Sequence, residues 1–273
     1  MLKPGFPHNF VKICTLVCVV FLCAFCPPGF AGENVTKQID KRIARLQERF
    51  NIPVYYKGDD LKEALRYEFL KPEEYAALNR YLQLFEEEIL KYPPGFFSKK
   101  NIKAIALVRR LFRGERPTEG AYSPGARVML FDVLRSADNE ARQRHSIHHE
   151  IFHMMALQPP FAESLAPATW STLNIPGFVY GTANMSRREI NPVNRFAPYQ
   201  LGFATDYGME SPEEDQAEIF ACLMQAKHYR LVNEWSGRDE YLQRKVEVIK
   251  AFVAEYDAEM NNSFWRKIAP SKD

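Results

Sequence analysis

Between Arg144 and Met155 the chain reads RHSIHHEIFHMM, which gathers four of its six histidines around one glutamate. In a helix His149 and His153 stand one turn apart, so both imidazoles leave the same face within reach of a single metal ion. Glu150 lies beside the first of them. This is the HExxH pattern: two neutral nitrogens for Zn²⁺ and a carboxylate able to take a proton from water that the metal activates. The spacing predicts a helix from about Glu140 to Leu157, because no Pro or Gly interrupts Arg142–Leu157 and Ile147, Ile151, Met154 and Met155 supply an apolar side. His145 and His148 are expected to bond to neighbours in the core. A buried glutamate flanked by two stacked imidazoles, by contrast, is costly unless it is paired or the site is metallated.

An open catalytic zinc site needs a third protein ligand and support behind the ligands. The segment YGMESPEEDQAEIF, Tyr207–Phe220, offers both. Glu214 and Glu218 fall at i and i+4 of a new helix, so one carboxylate can bind metal while the other hydrogen-bonds a ligand histidine. Ser211-Pro-Glu-Glu214 also reads as a capping box, in which Glu214 would only close the helix N-terminus. That reading accounts for neither Glu218 nor Tyr207. Glu213, Asp215 and Glu218 are alternatives within reach of the same helix.

HEIFH followed by a helix with EDQAE resembles the gluzincin metallopeptidases. The pattern Y-x6-E-x2-A-E-x-F is similar to the catalytic domain of anthrax lethal factor and to bacterial zinc-binding peptidases with an EDxAE motif. The resemblance spans about Arg127–Trp235. It implies that His149, His153 and Glu214 are zinc ligands and that Glu150 is the general base. It further implies that Glu218 orients a ligand histidine and that Tyr207 donates to the oxyanion. The 61 residues from His153 to Glu214 exceed the spacing of the shorter gluzincins. The Pro-rich stretch between them is therefore an insertion, and Trp170, Phe178 and Tyr180 within it could wall a pocket.

The elements that must position these residues follow from periodicity. Ile39, Ile43, Leu46 and Phe50 predict an amphipathic helix over Val35–Phe50. A strand is expected at Ile52–Tyr56, a helix at Leu61–Phe69, and a second helix opening at Pro72 and ending before Pro93. Asn101–Val108 and Arg127–Val133 read as strands. The second of these is expected either to be the edge along which an extended peptide lies, or to be a plain core strand. Gln158–Asp206 holds six prolines and cannot be one long helix. Ser211–Trp235 reads as one helix, capped by Ser211 with Pro212 at its first position, and Arg238–Met260 as the last. The class is α+β and zincin-like: a small mixed sheet, an active-site helix and a mainly helical C-terminal half. A helical N-terminal region over 32–100 and a metallopeptidase domain over 101–273 are expected.

Residues 1–31 read as a secretory signal peptide. Lys3 and Lys12 precede an apolar run, Ile13–Cys26, and Gly29 and Ala31 occupy the small-residue positions of a cleavage site. The run is shorter than the roughly twenty residues that span a bilayer, which favours cleavage over a retained anchor. The residues before Cys23 and Cys26 are Leu22 and Phe25, too large for a lipidation site. An exported protein, periplasmic or extracellular, with no stable membrane span after cleavage, is expected.

Removing Lys3 and Lys12 turns 36 bases against 34 acids into 34 against 34. A neutral chain gives no electrostatic case for nucleic acid as a partner. Of five cysteines only Cys222 remains, so no intramolecular disulfide forms and a metal site must use His and carboxylate. These readings converge on a zinc-dependent hydrolase acting on peptide or protein substrates. The rival readings are a zinc-containing binding or structural protein without turnover and a non-peptidic amide hydrolase.

Overall fold

The computed structural model describes residues 28–58, 65–158, 165–181 and 201–269. The expected signal segment up to Pro27 lies outside the described residues, as do 159–164 and 182–200 of the Pro-rich excursion.

Helix α1 (Pro28–Phe50) buries Ile39, Ile43, Leu46 and Phe50, the stripe its period requires. β1 (Val54–Tyr55) follows, then β2 (Arg66–Glu68), a 3₁₀ turn at Pro72–Glu74, α2 (Tyr75–Ile89) and the short α3 (Phe96–Lys99). β3 (Ala104–Arg113), β4 (Arg116–Pro117), β5 (Gly120–Ser123) and β6 (Val128–Asp132) complete a mixed sheet. Its main path runs β1-β3-β6-β5, with β2 and β4 both pairing with β3. β1 and β6 lie parallel to β3, and β5 antiparallel to β6.

The sheet separates two apolar layers by strict alternation. Ile105, Leu107, Met129 and Phe131 face the main core with α1, α2 and the later helices. Ala104, Ala106, Val108, Val128 and Leu130 face a smaller cluster that Leu65, Tyr67 and Phe69 cover. β3 bends at Arg110, whose φ of 52° is left-handed. Its first half pairs with β1 and β6, and its second with β2 and β4. Asp132 closes the broken ladder: its carboxylate accepts from the amides of Leu111 (2.9 Å), Leu134 and Arg135 (both 3.1 Å).

Helix α4 (Glu140–Ala156) is capped by Asn139, which accepts from Arg142 N, and packs against β5, β6 and α2. α5 (Pro167–Ser171) and a 3₁₀ turn at Asp206–Met209 lead into α6 (Pro212–Leu223), whose main partner is α4. α7 (Ala226–Ser236), α8 (Glu240–Tyr256) and α9 (Asn262–Ile268) finish the fold, a small mixed sheet with a mainly helical C-terminal half.

Four expectations need correction. Within Leu61–Phe69, expected as a helix, Arg66–Glu68 form a strand on β3. Pairing decides it: Glu68 binds Arg109 and Arg110, and Arg66 lies over the Phe112 ring. Ser211–Trp235 is two helices, because Gln225 is extended. At the break the freed carbonyls are taken by side chains: Lys91 donates to the Met224 carbonyl (2.9 Å), and the Gln225 side-chain amide bonds back to the Ala221 carbonyl one turn earlier (3.1 Å). Arg238–Met260 stops at Tyr256, and α9 adds Phe264 and Trp265 to the core. Arg127–Val133 is not the edge of the sheet: β6 is paired on both sides, and the edge beside α4 is β5.

Candidate active site

His149 and His153 leave α4 on one face, and their Nε2 atoms stand 3.0 Å apart. The Ser211 cap begins α6 where its first turn meets that face, bringing Glu214 Oε2 to 3.0 Å from His149 Nε2 and 3.5 Å from His153 Nε2. Ligands about 2.0–2.2 Å from a tetrahedral zinc stand roughly 3.3–3.5 Å apart; the His153–Glu214 separation matches, and the two 3.0 Å separations would open by a few tenths of an ångström around an ion. Glu214 Oε2 is buried beside these two imidazole nitrogens, so the three atoms converge on a common point. A metal ion fits this donor set. Only half of the capping box forms: Ser211 Oγ accepts from Glu214 N (3.2 Å), but the Glu214 carboxylate turns to the histidines. Glu213 on the preceding position is exposed, and Asp215 on the next is turned away, bonded to Lys245 at 2.7 Å.

Glu218 sits one turn further along α6, fully buried. Its Oε1 lies 2.9 Å from His149 Nδ1 and 2.9 Å from His145 Nε2, and its Oε2 accepts from Thr205 Oγ1 at 2.6 Å. One carboxylate thus braces the rear of His149 and is itself held from two sides. His145 is also engaged at Nδ1 by Gln225 (3.2 Å). The ligand-type atoms of His145, Cys222 and His228 lie within 4.8 Å of one another as well, but both His145 nitrogens are already committed. His148 points the other way, between Tyr92 OH (2.8 Å) and Glu88 Oε2 (2.7 Å). Both histidines are bonded in the core as expected.

The electrostatics follow from burial and these carboxylates. Burial alone would lower His149, but Glu214 and Glu218 outweigh it and push it up to about 10. Without metal a proton is therefore held between the imidazole and the acids. Glu214, despite its own burial, is pulled well below the usual carboxylate range by His149 and His153. Burial pushes Glu150 up, as suits a proton acceptor working near neutral pH. Its Oε2 has no hydrogen-bond partner among the described residues, and the Arg113 guanidinium stands 4.0 Å away.

Glu150, His149, Glu218 and Tyr207 all line one cleft of about 240 Å³, whose other wall comes from Arg116–Glu119, Arg135 and Arg142. The Tyr207 ring centroid is 6.0 Å from that of His149. Trp170 and Tyr180 of the excursion are not lining residues: both donate to Asp215 Oδ2, at 2.9 and 2.7 Å.

Two features escaped the sequence reading. Gly120, at the start of β5, touches the site helix so closely that a Cβ there would meet Glu150 Cγ at 2.7 Å. Glu119 accepts from Ser136 Oγ (2.5 Å), Ser146 Oγ and Arg142 Nε, tying the edge strand to α4. The only signal was the G-A-Y-S run inside a connection rich in glycine and proline.

The site can therefore hold one metal ion against a cleft with a buried carboxylate beside it. Its fold is similar to the crystal structure of a putative zinc-binding metallo-peptidase from Bacteroides caccae, with a TM-score of 0.54 at 17% identity, over 86% of this chain and 91% of that one. At that identity the likeness is one of fold. No curated protein shows significant similarity to the chain. Residues 33–264, most of the chain, match the family described as "Putative zinc-binding metallo-peptidase". The chain belongs to this family of zinc-binding metallo-peptidases.

Proposed function

We propose that the protein is an exported, gluzincin-type peptidase that hydrolyses peptide bonds with water. The observation that carries the reading is the triangle of His149 Nε2, His153 Nε2 and Glu214 Oε2, 3.0 to 3.5 Å on a side, beside a buried and unbonded Glu150 oxygen on an open cleft. In this reading those three residues hold Zn²⁺. When bound, the metal supplies Lewis acidity toward the substrate carbonyl and toward water.

The chain's own residues do the rest. Glu150 accepts the proton of the attacking water and passes it to the leaving amine. Tyr207 donates its phenol hydrogen bond to the oxygen on which negative charge develops. Glu218, held by Thr205 and His145, fixes the orientation of His149. β5, paired only with β6 among the described strands, is the sheet edge along which an extended peptide would add. The segment 101–273 then carries the catalytic residues, while the region 32–100 adds β1 and β2 to the same sheet and packs α2 against α4. The signal reading of residues 1–31 places the work outside the cytoplasm. Among the described residues no helix is long and apolar enough to cross a membrane.

The test is a peptide-library digest by the purified protein, with and without chelator, beside Glu150→Gln and Tyr207→Phe. Glu150→Gln should keep zinc and fold while losing roughly two to four orders of magnitude in turnover. Tyr207→Phe should lose less, roughly 10- to 1000-fold. Wild-type activity in the Glu150→Gln protein would assign the cleavage to another site and favour a binding role for the metal centre. Sequencing the N-terminus of the exported protein tests cleavage after Ala31.

A further inference from the structure

We infer that the cleft recruits its peptide through a carboxylate, taken between the guanidinium groups of Arg116 and Arg135; this rests on the peptidase reading above. The bend of β3 at Arg110 carries its second half away from β6 and into a hairpin with β4. That hairpin sets Arg113 4.0 Å from Glu150 and puts Arg116 on the cleft wall. Arg135 reaches the same cleft from the turn between β6 and α4.

The neighbouring arginines are matched by acids. Arg109 binds Glu68 (2.5 Å) and Glu74 (2.6 Å), Arg110 binds Glu68 (2.8 Å), and Arg66 lies 3.9 Å from Glu115. Inside the cleft Arg142 is bound to Glu119, which two serine hydroxyls also engage. The remaining acids of the cleft, Glu150 and Glu218, sit at the histidine end. Asp132 lies close enough to feel the Arg135 charge, yet its oxygens are taken by backbone amides. Among the described residues neither Arg116 nor Arg135 forms an ion pair.

Two guanidinium groups without a carboxylate partner, on a concave wall, fit an anion supplied by the ligand, because the planar fork matches a carboxylate in two parallel bonds. Position adds to this. Arg116–Glu119 lead into β5 and line the same cleft as Glu150, so a peptide reaching Glu150 has Arg116 on the wall beside it. A peptide brings a carboxylate either on an Asp or Glu side chain or at a free C-terminus, and the two share the recognition chemistry.

The experiment uses one peptide frame in three forms: an internal Glu with a blocked C-terminus, a Gln in its place with a blocked C-terminus, and the Gln form with a free C-terminus. Zinc-loaded wild type, Arg116→Gln, Arg135→Gln and the double variant are assayed for kcat and KM. Arg230→Gln, exposed on α7, controls for net charge. In parallel, fluorescence anisotropy reads binding of the same labelled peptides to Glu150→Gln protein, with and without the arginine substitutions.

Wild type should favour at least one carboxylate form over the neutral form by roughly 10- to 100-fold, mainly in KM and in binding. The double substitution should erase that preference while Arg230→Gln leaves it. Which carboxylate form is favoured identifies the source. Cleavage of all three forms with equal efficiency overturns the inference and leaves the peptidase reading standing. A binding preference that the arginine substitutions remove, in a protein that cleaves none of the forms, upholds the inference and overturns the peptidase reading. A preference that survives the double substitution overturns the assignment to these arginines.

Discussion

Replacing Lys245 by Met should remove about a third or more of an ordinary domain's stability through one contact. Lys245 and Asp215 are 0% and 1% exposed, and the ammonium donates to Asp215 Oδ2 and to the Gly202 carbonyl, each at 2.7 Å. Burial pushes Asp215 up and Lys245 down, and their contact opposes both shifts. Met has nearly the same length and volume, so little packing changes. What remains is a buried carboxylate held by Trp170 and Tyr180 alone, without a countercharge. Breaking a buried pair from one side costs roughly 3–5 kcal/mol. At about 2–4 °C per kcal/mol for a chain of this size, Tm should fall by roughly 6–20 °C.

Urea unfolding followed by circular dichroism, with calorimetry, measures this. A carboxyl whose folded pKa lies above its unfolded value destabilises the fold at higher pH, so the deficit should shrink as pH falls toward the unfolded value of 3.8. Adding Asp215→Asn removes the charge while keeping an acceptor for Trp170 and Tyr180, and should recover most of the loss. A cost under about 1 kcal/mol, or a double variant no better than the single one, would refute the reasoning, because the pair would then carry no unbalanced charge.

Gly120→Ala puts a methyl group where Glu150 Cγ stands, backed by the Leu130 carbonyl and Phe131. Turnover should fall at least tenfold while bound zinc, measured by elemental analysis, is retained. Zinc binding should release close to one proton per site at pH 7, since His149 is held protonated up to about 10; calorimetry in buffers of different ionisation enthalpy counts it, and zero release would contradict the ion pair with Glu214 and Glu218. Acid should unfold the protein in two stages. His148, buried neutral and lowered to about 4 by burial, loses its contribution as pH falls from the unfolded value of 6.5 toward 4. Glu88, for which burial is outweighed by His148 and Lys91, is held at about 2 and loses its own from 4.5 toward 2. A pH–stability curve flat from 6.5 to 4 would count against the first stage.

The histidine pair was legible because its geometry is local: an uninterrupted helix with two histidines four residues apart places them together whatever surrounds it. The amphipathic stripe of α1 and the Ser211 cap of α6 were legible for the same reason. Which acid of Glu213, Glu214, Asp215 and Glu218 meets the histidines depends on how α6 is rotated against α4. Successive residues diverge by about 100° around the axis, so Glu213 is left in solvent, Asp215 turns to Lys245 and Glu218 reaches the rear of His149. Strand order is likewise invisible to periodicity. β6 has the stronger strand pattern, yet only the sheet makes it interior and gives the edge to the four residues of β5. The break at Gln225, the strand at Arg66–Glu68 and the unmatched Arg116 and Arg135 depend on partners 40 to 130 residues away or on their absence. Short-range sequence carries helix faces and caps, whereas long-range packing selects which polar groups meet, because that choice costs little in local propensity and much in burial.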